Sequence, residues 1–310
     1  MTDYGHDLLF GVFATPVAQQ ARQVVDLAVT ADRAGLDLVS FQDHPYQPSF
    51  LDTSTLLAFT AARTERIHVN ANVASLPLRP PAVLARAAAS LDILSGGRFA
   101  LGIGAGAFWD GIAAMGGRRL SAAQGVTALG EGIEIIREIW DTDAPGEVSY
   151  DGRYYSVQGA GRGPRPAHDI PIWVGAYKPK MLALTGAVGD GWLPTIEYLP
   201  RGADSLPELN ARIDAAAHDA GRDPAAVRRL MNFMNVQFSS APRGLLHGPA
   251  DAWVEQIADL ALRHGVSAFV IGGDDPSMTQ HFGAEIAPAV RAIVERERRP
   301  AAPDRAQGER

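Results

Sequence analysis

An aspartate and a histidine stand side by side where the second apolar segment of the chain ends. Asp43 and His44 follow the segment "LDLVSF", and Pro45 and Pro48 come shortly after them. Histidine exchanges protons near neutral pH, and the two prolines limit the backbone freedom of the loop that carries the pair. We therefore interpret Asp43 and His44 as candidate catalytic residues. The alternative interpretation is a helix cap and a histidine that faces water.

Two amide side chains lie near the end of the third apolar segment, "IHVNANV". Buried amides are costly unless they are paired. Asn70 and Asn72 therefore either bond to one another and to the backbone, or bind a polar ligand.

Two glycine-containing segments could receive a ligand at the backbone. In "LGIGAG" the glycines permit close approach of a flat ring or a phosphate, although the spacing does not match a dinucleotide fingerprint. In "IWVGAYKPK" Gly175 leads into a predicted helix start with Lys178 and Lys180 close by. Free helix amides and a lysine are typical of a phosphate site, and the alternative is a capping turn with solvated lysines. Trp192, after the next strand begins, is predicted to form an aromatic wall of the same site.

These segments are positioned by a repeated rhythm of short apolar runs followed by stretches with helical period. The rhythm predicts about eight strands and eight helices, which favours a closed (β/α)8 barrel over an open sheet. The pattern breaks at about residues 142–169, where Asp151-Gly152 predicts a small hairpin. We interpret this stretch as an insertion between the fourth helix and the fifth strand. The predicted domain is 1–298, followed by a disordered tail, 299–310.

Composition limits the function. The chain has 310 residues, a formal net charge of -7 and no cysteine. A negative chain without clustered Lys and Arg is a poor nucleic-acid binder, and the lack of cysteine excludes disulfides and thiolate metal sites. No apolar run approaches the length of a membrane span, and the first residues do not read as a signal peptide, so we expect a cytoplasmic protein. The histidine spacing predicts no metal site.

The chain resembles the luciferase-like flavin- or deazaflavin-dependent oxidoreductases. The similar segments include "LDLVSFQDH", "YDGRYYSV" and "PIWVGAYKPKMLALTGAVGDGWLP", and the most specific block runs from Arg66 to Gly106. The resemblance implies a (β/α)8 barrel with a cofactor across the C-terminal face. It also implies a cis peptide at Asn72-Val73, behind the cofactor ring.

The resemblance further implies which residues bind the cofactor. Asp43 and His44 match the Asp-His pair that deazaflavin-dependent members place near the ring and the substrate. The remaining implied contacts form two groups, one lining the ring and one taking the phosphate. They are Asn72, Val73, Gly104, Ala105 and Gly106 for the ring, and Gly175, Ala176, Tyr177 and Lys178 for the phosphate.

The cofactor that the resemblance favours is coenzyme F420, with hydride transfer to or from a small organic substrate. His44 would then act as general acid or base, and Asp43 would orient it or bond to the ring edge. The sugar-phosphate dehydrogenases of this family carry a Glu directly after "GIGAG", where this chain has Ala107. We therefore do not predict their substrate.

Three alternatives stay open. One is an FMN-dependent monooxygenase that uses oxygen and needs a separate flavin reductase, because reduced FMN can form a peroxide adduct whereas a deazaflavin moves hydride. Another is a flavin-binding barrel without catalysis, and the last is a Schiff-base lyase that uses Lys178. We expect a homodimer.

Overall fold

The computed structural model describes residues 3–299. Its strands are β1 (Leu9–Ala14), β2 (Leu38–Phe41), β3 (His68–Ala71), β4 (Ala74–Ser75), β5 (Phe99–Gly104), β6 (Val148–Asp151), β7 (Ser156–Ala160), β8 (Ile172–Val174), β9 (Gly191–Trp192), β10 (Arg228–Phe233), β11 (Gln237–Phe238), β12 (His247–Gly248) and β13 (Val266–Gly272). Its helices are α1 (Ala21–Arg33), α2 (Thr53–Ala61), α3 (Pro81–Ser95), α4 (Trp109–Ala114), α5 (Ala122–Trp140), α6 (Pro179–Val188), α7 (Leu206–Asp219), α8 (Ala250–His264), α9 (Pro276–His281) and α10 (Ala287–Arg298).

Eight parallel strands close into a barrel. The strand order is β3-β2-β1-β13-β10-β9-β8-β5, and β3 pairs with β5 to complete the ring. The short strand β4 continues β3 beyond a bend and also pairs with β5. The helices surround this barrel, so the predicted (β/α)8 fold is confirmed. The C-terminal ends of the strands meet at one face, which is the functional face of this fold.

The apolar residues form two buried clusters. The larger cluster packs the helices against the outside of the barrel; in α1 it buries Val24, Leu27, Ala28 and Ala31, as the helical period predicts. The smaller cluster draws on strands around the whole ring and fills the barrel interior. Its members are Phe13, Leu38, Ala100, Trp173, Leu193, Leu230, Ala268 and Val270.

The interruption after α5 contains the hairpin β6-β7, as predicted at Asp151-Gly152. The buried carboxylate of Glu131 on α5 accepts the backbone N–H groups of Arg153, Tyr154 and Tyr155 at 2.8–3.0 Å. A Cβ at Gly152 would lie 2.7 Å from Glu131 Oε2, so the glycine lets the turn approach the carboxylate. One helical side chain thus fixes the hairpin to the barrel.

The structure adds elements that the sequence pattern does not predict. The six-residue helix α4 lies between β5 and the long helix α5, and it is too short to show a helical period. Residues 228–238 form two strands, β10 and β11, rather than one continuous strand. The last helical stretch begins with α9 at Pro276 and passes through a π-helical turn, Phe282–Ile286, before α10.

Candidate active site

Asp43 lies at the C-terminal end of β2, and only 1% of its side chain is exposed. Its carboxylate accepts Arg79 Nε at 2.8 Å, Arg79 Nη2 at 2.7 Å and Ser75 N at 2.9 Å. The guanidinium of Arg79 also reaches Asp52 Oδ2 at 2.9 Å, and Asp52 caps α2 by accepting Thr55 N. Both Asp43 oxygens therefore have protein partners, which hold the carboxylate against Ser75 and Arg79.

His44 is half-buried between two aromatic rings. The ring of Tyr46 stacks on it with a centroid distance of 5.1 Å, and Phe108 meets it edge-on, also at 5.1 Å. The amide nitrogen of Gln42 lies 3.4 Å from His44 Nε2. Burial lowers the pKa of His44 below its ordinary value of 6.5, and the charge of Asp43 opposes this only in part. The neutral imidazole predominates at pH 7, which suits a general base.

The chain bends between β3 and β4, and the peptide Asn72-Val73 is cis, as the resemblance implies. The bend is bonded to the end of β2 on both sides. Asn72 N donates to Phe41 O at 2.8 Å, and Ser75 N donates to the Asp43 carboxylate. The bend and the loop that carries His44 are therefore held together.

Glycines make room for the side chain of Val73. A Cβ at Gly104 would lie 2.8 Å from Val73 Cγ2, and one at Gly175 would lie 3.2 Å from the same atom. At Gly102, a Cβ would lie 2.0 Å from the carbonyl oxygen of Ala71. The glycines of β5 and the glycine after β8 thus accommodate the Val73 bend, whereas the sequence pattern predicts that they lie directly against a ligand.

The two asparagines at the end of β3, Asn70 within the strand and Asn72 just after it, have separate partners. Asn70 accepts the Ser40 hydroxyl at 2.8 Å and donates to the carbonyl of Ala71 at 3.2 Å. Asn72 exchanges amide hydrogen bonds with Asn232 of β10, at 2.8 and 3.1 Å. They do not bond to one another; each is paired within the barrel.

Gly106 follows β5 with φ +92°, a conformation that favours glycine. A Cβ there would lie 2.9 Å from both Ile112 Cδ1 and Pro77 Cγ. Ala105 is partly buried beside it and packs against the main apolar cluster. This turn leads into α4 and so places Phe108 beside His44.

The predicted phosphate segment leads into α6, a ten-residue helix. The backbone N–H groups of Tyr177 and Lys178 donate to no acceptor within residues 3–299. The side chains of Lys178 and Lys180 are exposed at the same helix start, and the Tyr177 hydroxyl accepts Thr195 N at 2.9 Å. Open amides and lysines at a helix N-terminus are the donor set that a phosphate requires. The residues present therefore fit the phosphate of the expected cofactor.

Two neighbours of this segment are buried. Ala176 is 1% exposed, and its carbonyl accepts Trp192 Nε1 at 2.8 Å. Trp192 is fully buried, so the prediction that it forms a wall of the open site is wrong. Its β9 position turns the indole outward from the barrel, into the layer that packs against the helices.

Sequence reasoning missed four residues that shape the site: Arg79, Tyr46, Phe108 and Asn232. Arg79 bonds to Asp43 across 36 positions, and Asn72 bonds to Asn232 across 160 positions. The one available signal was Arg79 in "LPLRPP", an isolated cation between prolines next to the predicted bend.

Within residues 3–299, no three His, Cys, Asp or Glu side chains are grouped so that they could hold a metal ion. In the same range, every helix is too short or too polar to cross a membrane.

Comparison with known proteins places this site in a family. The model of the luciferase-like monooxygenases matches residues 2–243, so the chain belongs to that family. It is 33% identical over 233 residues to an F420-dependent glucose-6-phosphate dehydrogenase of Gordonia bronchialis, covering 73% of this chain and 67% of the relative. A protein of the same name from Microbacterium testaceum is 28% identical over 335 residues, covering 92% and 98%.

Among solved structures, an F420-dependent secondary alcohol dehydrogenase in complex with an F420-acetone adduct superposes with a TM-score of 0.80 at 18% identity. The match covers 92% of this chain and 99% of that one. At this identity the likeness shows the shared fold.

Proposed function

We propose that this chain is an F420-dependent oxidoreductase that transfers a hydride to or from a small organic substrate. The observation that carries the proposal is the connection of His44 to the Asn72-Val73 bend through Asp43, Ser75 and Arg79. This connection holds a proton-exchanging group beside the predicted ring site. The relatives named as F420-dependent dehydrogenases support F420 over FMN.

Different residues of the chain would bind the cofactor and exchange the proton. When bound, F420 supplies or accepts the hydride. The segment Gly175 to Lys178 would hold its phosphate, and Val73, packed against Gly104, would support its ring together with Ala105 and Gly106. His44 would exchange a proton with the substrate, and Asp43 would keep the His44 loop in place. Because His44 is neutral at pH 7, it would accept a proton when the substrate is oxidised.

The decisive experiment is a binding titration of the purified protein with F420 and, separately, with FMN. We expect tight F420 binding and weak FMN binding. Lys178→Ala with Lys180→Ala should weaken F420, and a truncated deazaflavin that lacks the phosphate should bind the wild type and this variant equally. Tight FMN binding without F420 affinity, with oxygen uptake on reduced FMN, would instead identify a monooxygenase.

We also propose a homodimer. Large apolar side chains are exposed on neighbouring helices α2 and α3, namely Phe59, Val83, Ile93 and Leu94, the last with 83% of its surface exposed. Exposed apolar patches of this kind mark interaction surfaces, and a second copy is the commonest partner. Light scattering should give a dimer for the wild type and a monomer for Leu94→Glu, while Met115→Glu, on α4's C-terminal side, should stay dimeric. The domain limits and the cytoplasmic location stay predictions, and the predicted tail lies, from residue 300 onward, outside the described residues.

A further inference from the structure

Asn232, near the C-terminal end of β10, is buried with 2% of its surface exposed and bonds to two different loops. Its side-chain oxygen accepts Asn72 Nδ2 at 2.8 Å, and its Nδ2 donates to Asn72 Oδ1 at 3.1 Å. The same nitrogen also donates to Thr195 Oγ1 at 3.4 Å. Asn232 therefore uses its oxygen and both of its N–H groups within the protein.

The hydrogen bonds continue from Thr195 to the predicted phosphate segment. Thr195 N donates to the Tyr177 hydroxyl at 2.9 Å, and the backbone N–H of Tyr177 is one of the open amides of that segment. The backbone of Asn232 is fixed as well, because Asn232 N donates to Pro194 O at 2.9 Å. We call Asn72, Asn232, Thr195 and Tyr177 the Asn232 network. It joins the Asn72-Val73 bend to the phosphate segment.

The Asn232 network crosses the barrel. In the ring of eight strands β10 lies four positions from β3 in either direction, so Asn232 and Asn72 come from opposite sides. The bend also has an apolar contact with the phosphate segment, since a Cβ at Gly175 would lie 3.2 Å from Val73 Cγ2. An apolar contact has no preferred direction, whereas a hydrogen bond fixes distance and direction. The network is therefore the contact that can hold the bend at a defined position.

The asparagine at position 232 stands between apolar residues. Its neighbours in β10, Met231 and Phe233, are both buried. An apolar side chain would fill the same space without needing hydrogen bonds, whereas a buried amide is tolerated only when it is paired. A fully paired amide makes its surroundings rigid, which burial of an apolar group does not achieve to the same degree. Fixed geometry is thus what Asn232 supplies.

We propose that Asn232 is a positioning residue that fixes the bend and the phosphate segment relative to one another, so that the ring and the phosphate of F420 bind together. This inference rests on the proposed function and adds a residue that acts through Asn72 and Tyr177. The ring and the phosphate belong to one molecule, so the second contact adds affinity only if the protein holds both subsites at the separation that this molecule spans. Loosening the network should therefore reduce the affinity that the phosphate adds.

The test measures the phosphate gain, which is the dissociation constant of a truncated deazaflavin without the phosphate divided by that of F420. Asn232→Ala should lower the phosphate gain about two- to tenfold, the net contribution of one hydrogen bond. Thr195→Val removes the hydroxyl that accepts Asn232 Nδ2 and keeps the backbone N–H, so it provides the same test by a smaller change. A mere loss of folded protein weakens both ligands equally and leaves the phosphate gain unchanged.

A double variant tests whether the network acts as one unit. Tyr177→Phe removes the acceptor of Thr195 N and should lower the phosphate gain by itself. Combined with Asn232→Ala it should cause little further loss, because the network is already interrupted. The matched control is Asn210→Ala at the N-terminal end of the barrel. Asn210 is also 2% exposed and bonds to Arg229 and to the His264 carbonyl, and its variant should keep the wild-type phosphate gain.

The outcomes separate this inference from the proposed function. If F420 still binds but the phosphate gain is unchanged in Asn232→Ala and Thr195→Val, the positioning role is wrong and the proposed function stands. Fully additive losses in the double variant, an equal loss in Asn210→Ala, or equal affinity of the wild type for both ligands would also overturn the positioning role. Failure of the wild type to bind F420 at all would overturn the proposed function itself.

Discussion

Two buried Asp-Arg pairs lie at opposite ends of the barrel and differ in which partner is hidden. At the N-terminal end, Arg229 of β10 is completely buried, and its partner Asp214 keeps 26% of its side chain exposed. At the C-terminal end the carboxylate of Asp43 is the buried partner, and Arg79 keeps 18% exposed. The same two residue types therefore form pairs of opposite burial: the arginine is the buried partner at the N-terminal end, and the aspartate is the buried partner at the C-terminal end.

The N-terminal pair is hydrogen-bonded to several neighbouring elements of the fold. Arg229 donates to Asn210 Oδ1 at 3.0 Å, to the Val227 carbonyl, to the Tyr4 hydroxyl and to Asp214. These bonds connect β10, α7 and the N-terminal segment. The C-terminal pair connects the loop of His44 to the bend at Asn72-Val73. One pair stabilises the fold, whereas the other also positions a site, and this difference can be tested by breaking each pair.

Breaking the C-terminal pair should have the largest effect. Arg79→Met leaves the Asp43 carboxylate buried without its cation, which costs about 3–5 kcal/mol in the free energy of unfolding. Arg79→Lys keeps the charge and should lose less. We expect both variants to bind F420 more weakly in proportion to the stability they lose, as measured by urea unfolding and by cofactor titration.

The matched control for Arg79 is Asp52→Asn. Asp52 shares the Arg79 guanidinium, is half-exposed, and would keep its capping bond to Thr55 as asparagine. The F420 affinity of the Asp52→Asn variant should equal that of the wild type. If Arg79→Lys is folded and binds F420 normally at every pH, then the C-terminal pair is purely structural and the comparison fails.

Breaking the N-terminal pair should reduce stability alone. Arg229→Met removes the donors of several buried acceptors, but Asp214 can turn to water, so we expect a loss of about 2–3 kcal/mol. The folded protein should bind F420 like the wild type. Weaker F420 binding in the fraction that remains folded would show that the two ends are coupled, contrary to the division described above.

A smaller effect is expected where the C-terminal face supports the bend. Gly104→Ala would place a Cβ 2.8 Å from Val73 Cγ2 and displace the bend, at a cost of about 1–2 kcal/mol. The double variant with Val73→Ala should regain stability. Gly130→Ala on α5, whose Cβ would lie 3.4 Å from Leu184, is the control and should be neutral or stabilising. Equal losses in Gly104→Ala with and without Val73→Ala would exclude this contact as the cause.

Much of the fold can be predicted from local patterns in the sequence. The alternation of apolar runs and helical periods predicts the barrel, and Asp43 and His44 follow its second strand, at the face that carries the active sites of this fold. The short helix α4 could not be predicted, because six residues are too few to show a helical period. The pairing of Asp43 with Arg79 could not be predicted, because neither local segment shows a pattern that indicates a contact across 36 positions. The local sequence therefore predicts that Asp43 can contact a cofactor and that Trp192 lines the site, whereas the packing of the fold buries both side chains.

The smallest expected effect concerns pH. Burial lowers the pKa of His44, and the Asp43 charge raises it in part, so the protonated imidazole becomes the major form only below pH 6.5. If His44 is the base of substrate oxidation, kcat/KM in that direction should be flat above pH 6.5 and fall on the acid side as His44 gains a proton. Arg79→Lys loosens the compensation of Asp43, which should raise the pKa of His44 and move the acid limb to higher pH. Arg229→Met, at the other end of the barrel, should leave that limb where the wild type has it. A limb that moves equally in both variants would attribute the shift to general loosening of the fold.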